Sequence, residues 1–160
     1  MQTRSLVISA TLIAALVLAL AAIAVAADPF VGTWKMNVAK SKAPNPSMLP
    51  KSEIIKNEGL DNGLKSTYDG VDAEGKTYHI VWSGKYDGKD YPATGSPNWD
   101  TCSEKKISPN ILVIVDKKAG KEVASYRCTV SNDGKTASCI GKAKDAKEQD
   151  QSLTCVYEKQ

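Results

Sequence analysis

Short runs of β-branched and aromatic residues alternate with polar, glycine-containing turns along most of the chain. Dipeptides such as Asn62-Gly63, Asp69-Gly70 and Asp133-Gly134 provide the positive φ angle that tight hairpin turns need. Regular spacing of strands and turns is typical of an up-and-down antiparallel sheet. Ten strands are predicted, at residues 33–36, 52–57, 64–69, 76–84, 90–94, 100–107, 111–117, 122–130, 135–142 and 152–158.

An open meander of this size would expose two sheet edges, and closing the sheet into a barrel removes both. The predicted fold class is therefore all-β, an antiparallel up-and-down meander of about eight to ten strands closed as a barrel. A sandwich is the alternative. No long segment has helical periodicity. Residues 38–43 and 143–149 are predicted to form at most a turn or two of helix, and the proline-rich residues 43–47 an irregular connection.

The first 27 residues have a different pattern. One positive charge, Arg4, precedes an uncharged apolar run that ends in the small residues 24–27. This order is typical of a secretory signal peptide. Because the run approaches the ~20 residues that span a bilayer, an uncleaved anchor is the alternative. Cleavage is favoured, because alanine-rich segments insert less firmly than leucine-rich ones.

Two parts are therefore predicted: a signal-peptide helix at residues 1–27 and a single barrel domain at residues 28–160. The protein is expected to be secreted or periplasmic. No second long apolar run follows, so no stable membrane insertion is expected after cleavage. Without Arg4 the chain keeps 20 basic and 18 acidic residues, which alternate rather than cluster. Nucleic-acid binding is therefore not predicted, and the oligomeric state is left open.

All four cysteines lie in the last 60 residues of the chain, and export favours disulfides over metal binding. If Asp133-Gly134 forms a hairpin turn, Cys128 lies opposite Cys139, which in turn lies opposite Cys155. Two pairings remain open. Either Cys128 bonds Cys139 and Cys102 bonds Cys155, or Cys139 bonds Cys155 and Cys102 bonds Cys128.

Residues 28–35, with sequence DPFVGTWK, contain a Gly32-Thr33-Trp34 motif. This segment, with residues 86–92 and 156–160, resembles bacterial exported lipocalin-like proteins of unknown function, which are calycin-type barrels. The resemblance implies a lipocalin-like barrel whose end is closed by the tryptophan, with a basic residue over it. Arg127 and Lys159 are the candidates for that residue, and the cysteines are not part of the family pattern.

The resemblance implies a binding module that holds a small, mainly apolar molecule. A cavity above about 300 Å³ would support this function. A plain packing role is the alternative for each aromatic residue. The candidate ligand-binding residues are Trp34, Tyr68, Tyr78, Trp82 and Tyr126.

The proline-flanked loop at residues 91–99 suggests a second function, a protein-interaction or inhibitory module without an internal ligand. Its candidate partner-binding residues are Tyr91 and Trp99, since rigidly held aromatics make good anchors. Burial of Trp99 in its own barrel would remove the main support. No catalytic motif accompanies His79, so an enzyme is not predicted, and neither is a cofactor or a metal site.

Overall fold

The computed structural model describes residues 27–160, which form a closed barrel of antiparallel strands. The all-β, up-and-down prediction is confirmed, and each predicted strand is present with bounds shifted by a few residues. The strands are β1 (Gly32–Met36), β2 (Ser52–Leu60), β3 (Gly63–Val71), β4 (Thr77–Lys85), β5 (Tyr91–Thr94), β6 (Thr101–Ser108), β7 (Ile111–Lys118), β8 (Lys121–Val130), β9 (Thr136–Lys144) and β10 (Asp150–Lys159).

The barrel closes where the first strand meets the last. Trp34 on β1 pairs with Ile55 on β2 at one side and with Lys159 on β10 at the other. This pairing removes both open edges of the meander. The barrel wall has its fewest paired residues at β5, which has only two residue pairs with β4 and two with β6.

Alternation along each strand sends every second side chain into the interior. The largest fully buried side chains include Trp82, Leu64, Leu112 and Val130. They pack with Trp34 and neighbouring residues into one core cluster. The described residues therefore share one continuous core.

The predicted turns are present at two of the three glycine-containing dipeptides, Asn62-Gly63 and Asp133-Gly134. Asn62 and Gly134 have φ angles of 55° and 70°. The prediction of a turn at Asp69-Gly70 is wrong, because both residues lie inside β3. The glycine is needed there for space: a Cβ atom on Gly70 would collide with the hydroxyl of Tyr78 on the next strand.

The two short helices are also absent. Residues 38–43 form turns and an isolated bridge between Lys42 and Thr154. Residues 143–149 complete β9 and then turn back through a hydrogen bond from Asp145 N to Gln149 O. A lone helical turn is costly to nucleate, and pairing with β10 offers these segments better partners. A 3-10 turn, Pro46–Met48, follows residues 38–43 along the chain in the proline-rich connection.

The predicted signal peptide lies outside the described residues except for Ala27. No helix within residues 27–160 is long and apolar enough to cross a membrane.

One disulfide is present among the described residues, between Cys128 and Cys139. These cysteines lie directly opposite each other on β8 and β9. The expectation of a second bridge is wrong, because Cys102 and Cys155 are buried free thiols. Their strands, β6 and β10, are not neighbours in the sheet. Cys155 instead lies opposite Cys139, which is already bonded.

We expect the mass of the folded protein to be about 2 Da below the fully reduced value, because one disulfide removes two hydrogen atoms. Peptide mapping under acidic, thiol-blocking conditions should link Cys128 to Cys139. The double variant C128A/C139A should lose about 2–3 kcal/mol of unfolding free energy, measured in urea, because the bridge restricts the unfolded chain. A peptide that links Cys139 to Cys155 would contradict the assignment.

Candidate functional site

The closed end of the barrel is built around Trp34. Its indole Nε1 donates a hydrogen bond to Phe30 O at 2.9 Å, and Lys159 Nζ lies 4.9 Å from the indole centroid. Lys159 Nζ also donates to Pro29 O at 3.1 Å. Lys159 is thus the basic residue over the tryptophan, because Arg127 is exposed on the outer face of β8.

Asp28 fastens the segment before β1 across the same end. Its carboxylate accepts hydrogen bonds from Lys106 Nζ at 2.8 Å, Tyr86 Oη at 2.7 Å and Phe30 N at 3.0 Å. Burial alone would raise the pKa of Asp28, but the bonds from Lys106 and Tyr86 lower it below its ordinary value of 3.8. Asp28 is therefore ionised at neutral pH and holds this end closed.

A cavity of about 60 Å³ lies inside the barrel beside the closed end. It does not reach the ~300 Å³ that would support a drug-sized ligand. At ~10–15 Å³ per water, it has room for about four to six water-sized groups. Its wall consists of Phe30, Trp34, Ile55, Asn57, Leu64, Ser66, Tyr68, Glu104, Leu112, Ile114, Cys128, Ala137, Cys139 and Tyr157.

Two oxygen atoms in this wall have no hydrogen-bond partner: Glu104 Oε2 and Asn57 Oδ1. Glu104 is only 2% exposed. An unsatisfied buried polar group costs about 1–3 kcal/mol, so such atoms normally meet a bound group or water. Burial, together with the negative charges of Asp116 and Asp28, raises the pKa of Glu104 to about 8.

Two further acids face the interior, one on β2 and one on β7. Glu53 on β2 accepts hydrogen bonds from Tyr157 Oη at 2.7 Å and Tyr78 Oη at 2.8 Å. Burial raises the pKa of Glu53 even though both bonds oppose this shift. Burial also raises the pKa of Asp116 on β7 to about 6. The interior therefore holds three carboxyl groups whose pKa values burial raises.

The five aromatic residues predicted to line a ligand site all face the interior. Trp34 and Tyr68 line the cavity itself. Tyr78 donates its hydroxyl to an interior acid, and Trp82, 1% exposed, donates its indole N–H to a backbone carbonyl. Tyr126 points inward but is only half-buried. Two of the five predicted residues, Trp34 and Tyr68, therefore line the cavity. Tyr78 and Trp82 instead form hydrogen bonds within the barrel interior.

The loop proposed as a partner-binding surface turns its aromatic residues towards its own barrel. The rings of Trp99 and Tyr68 meet edge to face, with centroids 6.1 Å apart. Those of Tyr91 and Trp82 do the same at 6.4 Å. Trp99 and Tyr91 are both half-buried. Neither residue is presented as a free anchor.

His79 lies on the outer face of β4 and is exposed. Its Nδ1 is 2.6 Å from Asp69 Oδ1 on β3, also exposed. This pair lies on the opposite face of the sheet from the cavity. A second depression, of about 190 Å³, lies along β8 to β10 and is lined by charged side chains, of which Lys142 and Lys144 already pair with Asp150.

Sequence reasoning missed the interior acids Glu53, Glu104 and Asp116. The signal was present in the alternation of each strand. Glu104 is two residues from Cys102 on β6, and Asp116 is two residues from Ile114 on β7. Alternate residues of a strand share a face, so an acid two residues from an inward apolar residue also points inward. Applied to β6 and β7, this rule places Glu104 and Asp116 inside the barrel.

Comparisons with known proteins give no assignment. No protein-family model matches the chain, and the search of curated proteins returned no match.

Glu104 should make the unliganded protein less stable as pH rises. Its folded pKa of about 8 exceeds its ordinary value of 4.5, so its contribution is complete below 4.5 and is lost as pH rises towards about 8. In E104Q we expect the unfolding free energy to fall less steeply with pH than in the wild type. The two slopes should differ by up to about 1.4 kcal/mol per pH unit. The difference should be clearest above about pH 6, where Asp116 has already titrated.

Urea unfolding across this pH range measures the effect. E122Q, which changes an exposed glutamate on β8, should follow the wild-type curve. Parallel curves for E104Q and the wild type would contradict the assignment.

Proposed function

We propose that this chain is an exported, lipocalin-like barrel that binds a small, mainly apolar molecule in its interior. The observation that carries the proposal is the cavity beside Trp34, where two unpartnered oxygen atoms face an otherwise apolar and aromatic wall. Ligand sites typically combine such a wall with a few polar groups that orient the guest.

Incomplete packing of the interior supports the same proposal. Tyr68, Ile114 and Tyr126 point inward, yet each remains half-buried rather than buried. Because parts of these inward side chains remain accessible, protein atoms do not fill all of the space around them. The cavity volume of about 60 Å³ restricts the ligand, or the part of it that enters, to a few heavy atoms.

The lipocalin-like family assignment is part of the proposal. Its support is the Gly32-Thr33-Trp34 motif together with the cation of Lys159 placed 4.9 Å from the Trp34 ring. Export is proposed from the pattern of residues 1–27 and is compatible with the Cys128–Cys139 disulfide. The alternative interaction module is disfavoured, because Trp99 packs on Tyr68.

Filling the cavity should abolish binding. Ala137 lines the cavity, and A137L would add three carbon atoms to it. Native mass spectrometry of protein recovered from an exporting host should show a small-molecule adduct, released on unfolding, in the wild type but not in A137L. S138L adds similar bulk at the neighbouring position, whose side chain points away from the cavity, and should keep the adduct. An adduct that persists in A137L would place binding elsewhere, and a bare wild-type protein would count against an internal ligand.

A further inference from the structure

Charged side chains are separated by sign along the interior of the described barrel. The two inward lysines, Lys106 and Lys159, lie at the closed end and are already engaged. Lys106 Nζ is 2.8 Å from Asp28 Oδ2, and Lys159 Nζ donates to a backbone carbonyl. Beyond that end, the inward charged side chains of the described strands are the acids Glu53, Glu104 and Asp116.

Two hydrogen-bond acceptors in the cavity wall lack a donor. The hydroxyls of Tyr157 and Tyr78 both donate to Glu53. Among the described residues, none donates to Glu104 Oε2 or Asn57 Oδ1. An ammonium group brings three donors and no acceptor, so it can offer a donor to each of these oxygen atoms and adds no further acceptor.

Aromatic rings complete a surface that suits an organic cation. Tyr68 and Tyr157 line the cavity together with Glu104, and ring faces attract cations within about 6 Å. A bare metal ion suits the wall poorly, because hard cations take about six to eight oxygen ligands. Within residues 27–160, no group of three or more His, Cys, Asp or Glu side chains is arranged to hold a metal.

We infer that the interior site takes a small organic cation, a short alkylammonium group, whose nitrogen binds Glu104 and Asn57 while its carbon atoms lie against the aromatic wall. This inference rests on the proposed function, because it requires the cavity to be a binding site. It adds the chemical class of the ligand: the small, mainly apolar molecule carries one charged amine.

Binding is coupled to a proton. Burial, with the charges of Asp116 and Asp28, raises the pKa of Glu104 to about 8, whereas Lys106 opposes this shift. In the empty barrel Glu104 is therefore protonated at neutral pH, and it must lose that proton to bind an ammonium group. Affinity should rise with pH up to about 8. The change above about pH 6 belongs mainly to Glu104, since Asp116 titrates near 6.

The other titratable or charged groups that face the interior come from every side of the barrel. They are Asp28 before β1, Glu53 on β2, Tyr68 on β3, Tyr78 on β4, Tyr86 just after β4, Tyr91 on β5, Cys102 and Lys106 on β6, Asp116 on β7, Tyr126 on β8, and Cys155, Tyr157 and Lys159 on β10.

Three probes of matched size test the inference on protein recovered from an exporting host: n-butylammonium, 1-butanol and butyrate. Affinities are measured by NMR titration. We expect n-butylammonium to bind about tenfold or more tightly than 1-butanol, because it makes charge-assisted hydrogen bonds. Butyrate should not bind, because its charge has the sign of the interior acids. Calorimetry in two buffers of different ionisation enthalpy should show release of about one proton near pH 7.

E104Q should lose the preference for n-butylammonium over 1-butanol and should lose proton release. E122Q, on the outer surface of β8, should keep both. The proton-release measurement needs only the wild-type protein, so it stands even if E104Q does not fold.

Xenon, a small apolar probe, separates this inference from the proposed function. If xenon binds saturably and the three organic probes bind alike or not at all, the inference that the ligand is an amine is overturned. The proposal of an internal binding cavity is then retained. If neither xenon nor any organic probe binds, the interior holds water only, and the proposed function fails with the inference.

Discussion

Closure of the meander is the constraint on which the rest of the molecule depends. An open ten-strand sheet would leave β1 and β10 with unpaired backbone groups, and their pairing satisfies both edges at once. The same pairing brings Trp34 beside Lys159, although the two residues are far apart in sequence. The cation over the indole and the strap formed by Asp28 with Lys106 then seal one end. The interior exists as a separate environment because of this seal.

The interior environment explains the behaviour of the acids. A carboxylate removed from water is costly unless a cation or several donors accompany it. Asp28 has such partners, and its pKa is lowered. Glu104 lacks a partner for one oxygen atom, and its pKa is raised to about 8. Side chains of the same chemical type thus differ within one barrel: Asp28 is paired and supports the closed end, whereas Glu104 has an unpaired oxygen atom in the cavity wall.

The cysteines also illustrate how the sheet selects among chemical possibilities. Three of them share one face of three adjacent strands, so Cys139 has a neighbour on each side. The bond joins Cys139 to Cys128, and Cys155 remains a buried thiol beside it. Cys102, on the distant strand β6, has no cysteine opposite it and pairs in register with Asp116. Strand order, more than cysteine number, decides which bridges form.

The sequence by itself determined the all-β class, the strand positions and most turns, because alternation and glycine-containing turns act over a few residues. It also indicated that Cys128 and Cys139 lie opposite each other, since a tight hairpin sets local register. Only the tertiary structure decided that Lys159 covers Trp34, that Gly70 makes room for Tyr78, and that Trp99 packs inward. It alone also decided which acids lack partners. These features depend on contacts between distant segments, and closure of the barrel, rather than any local pattern, sets those distances.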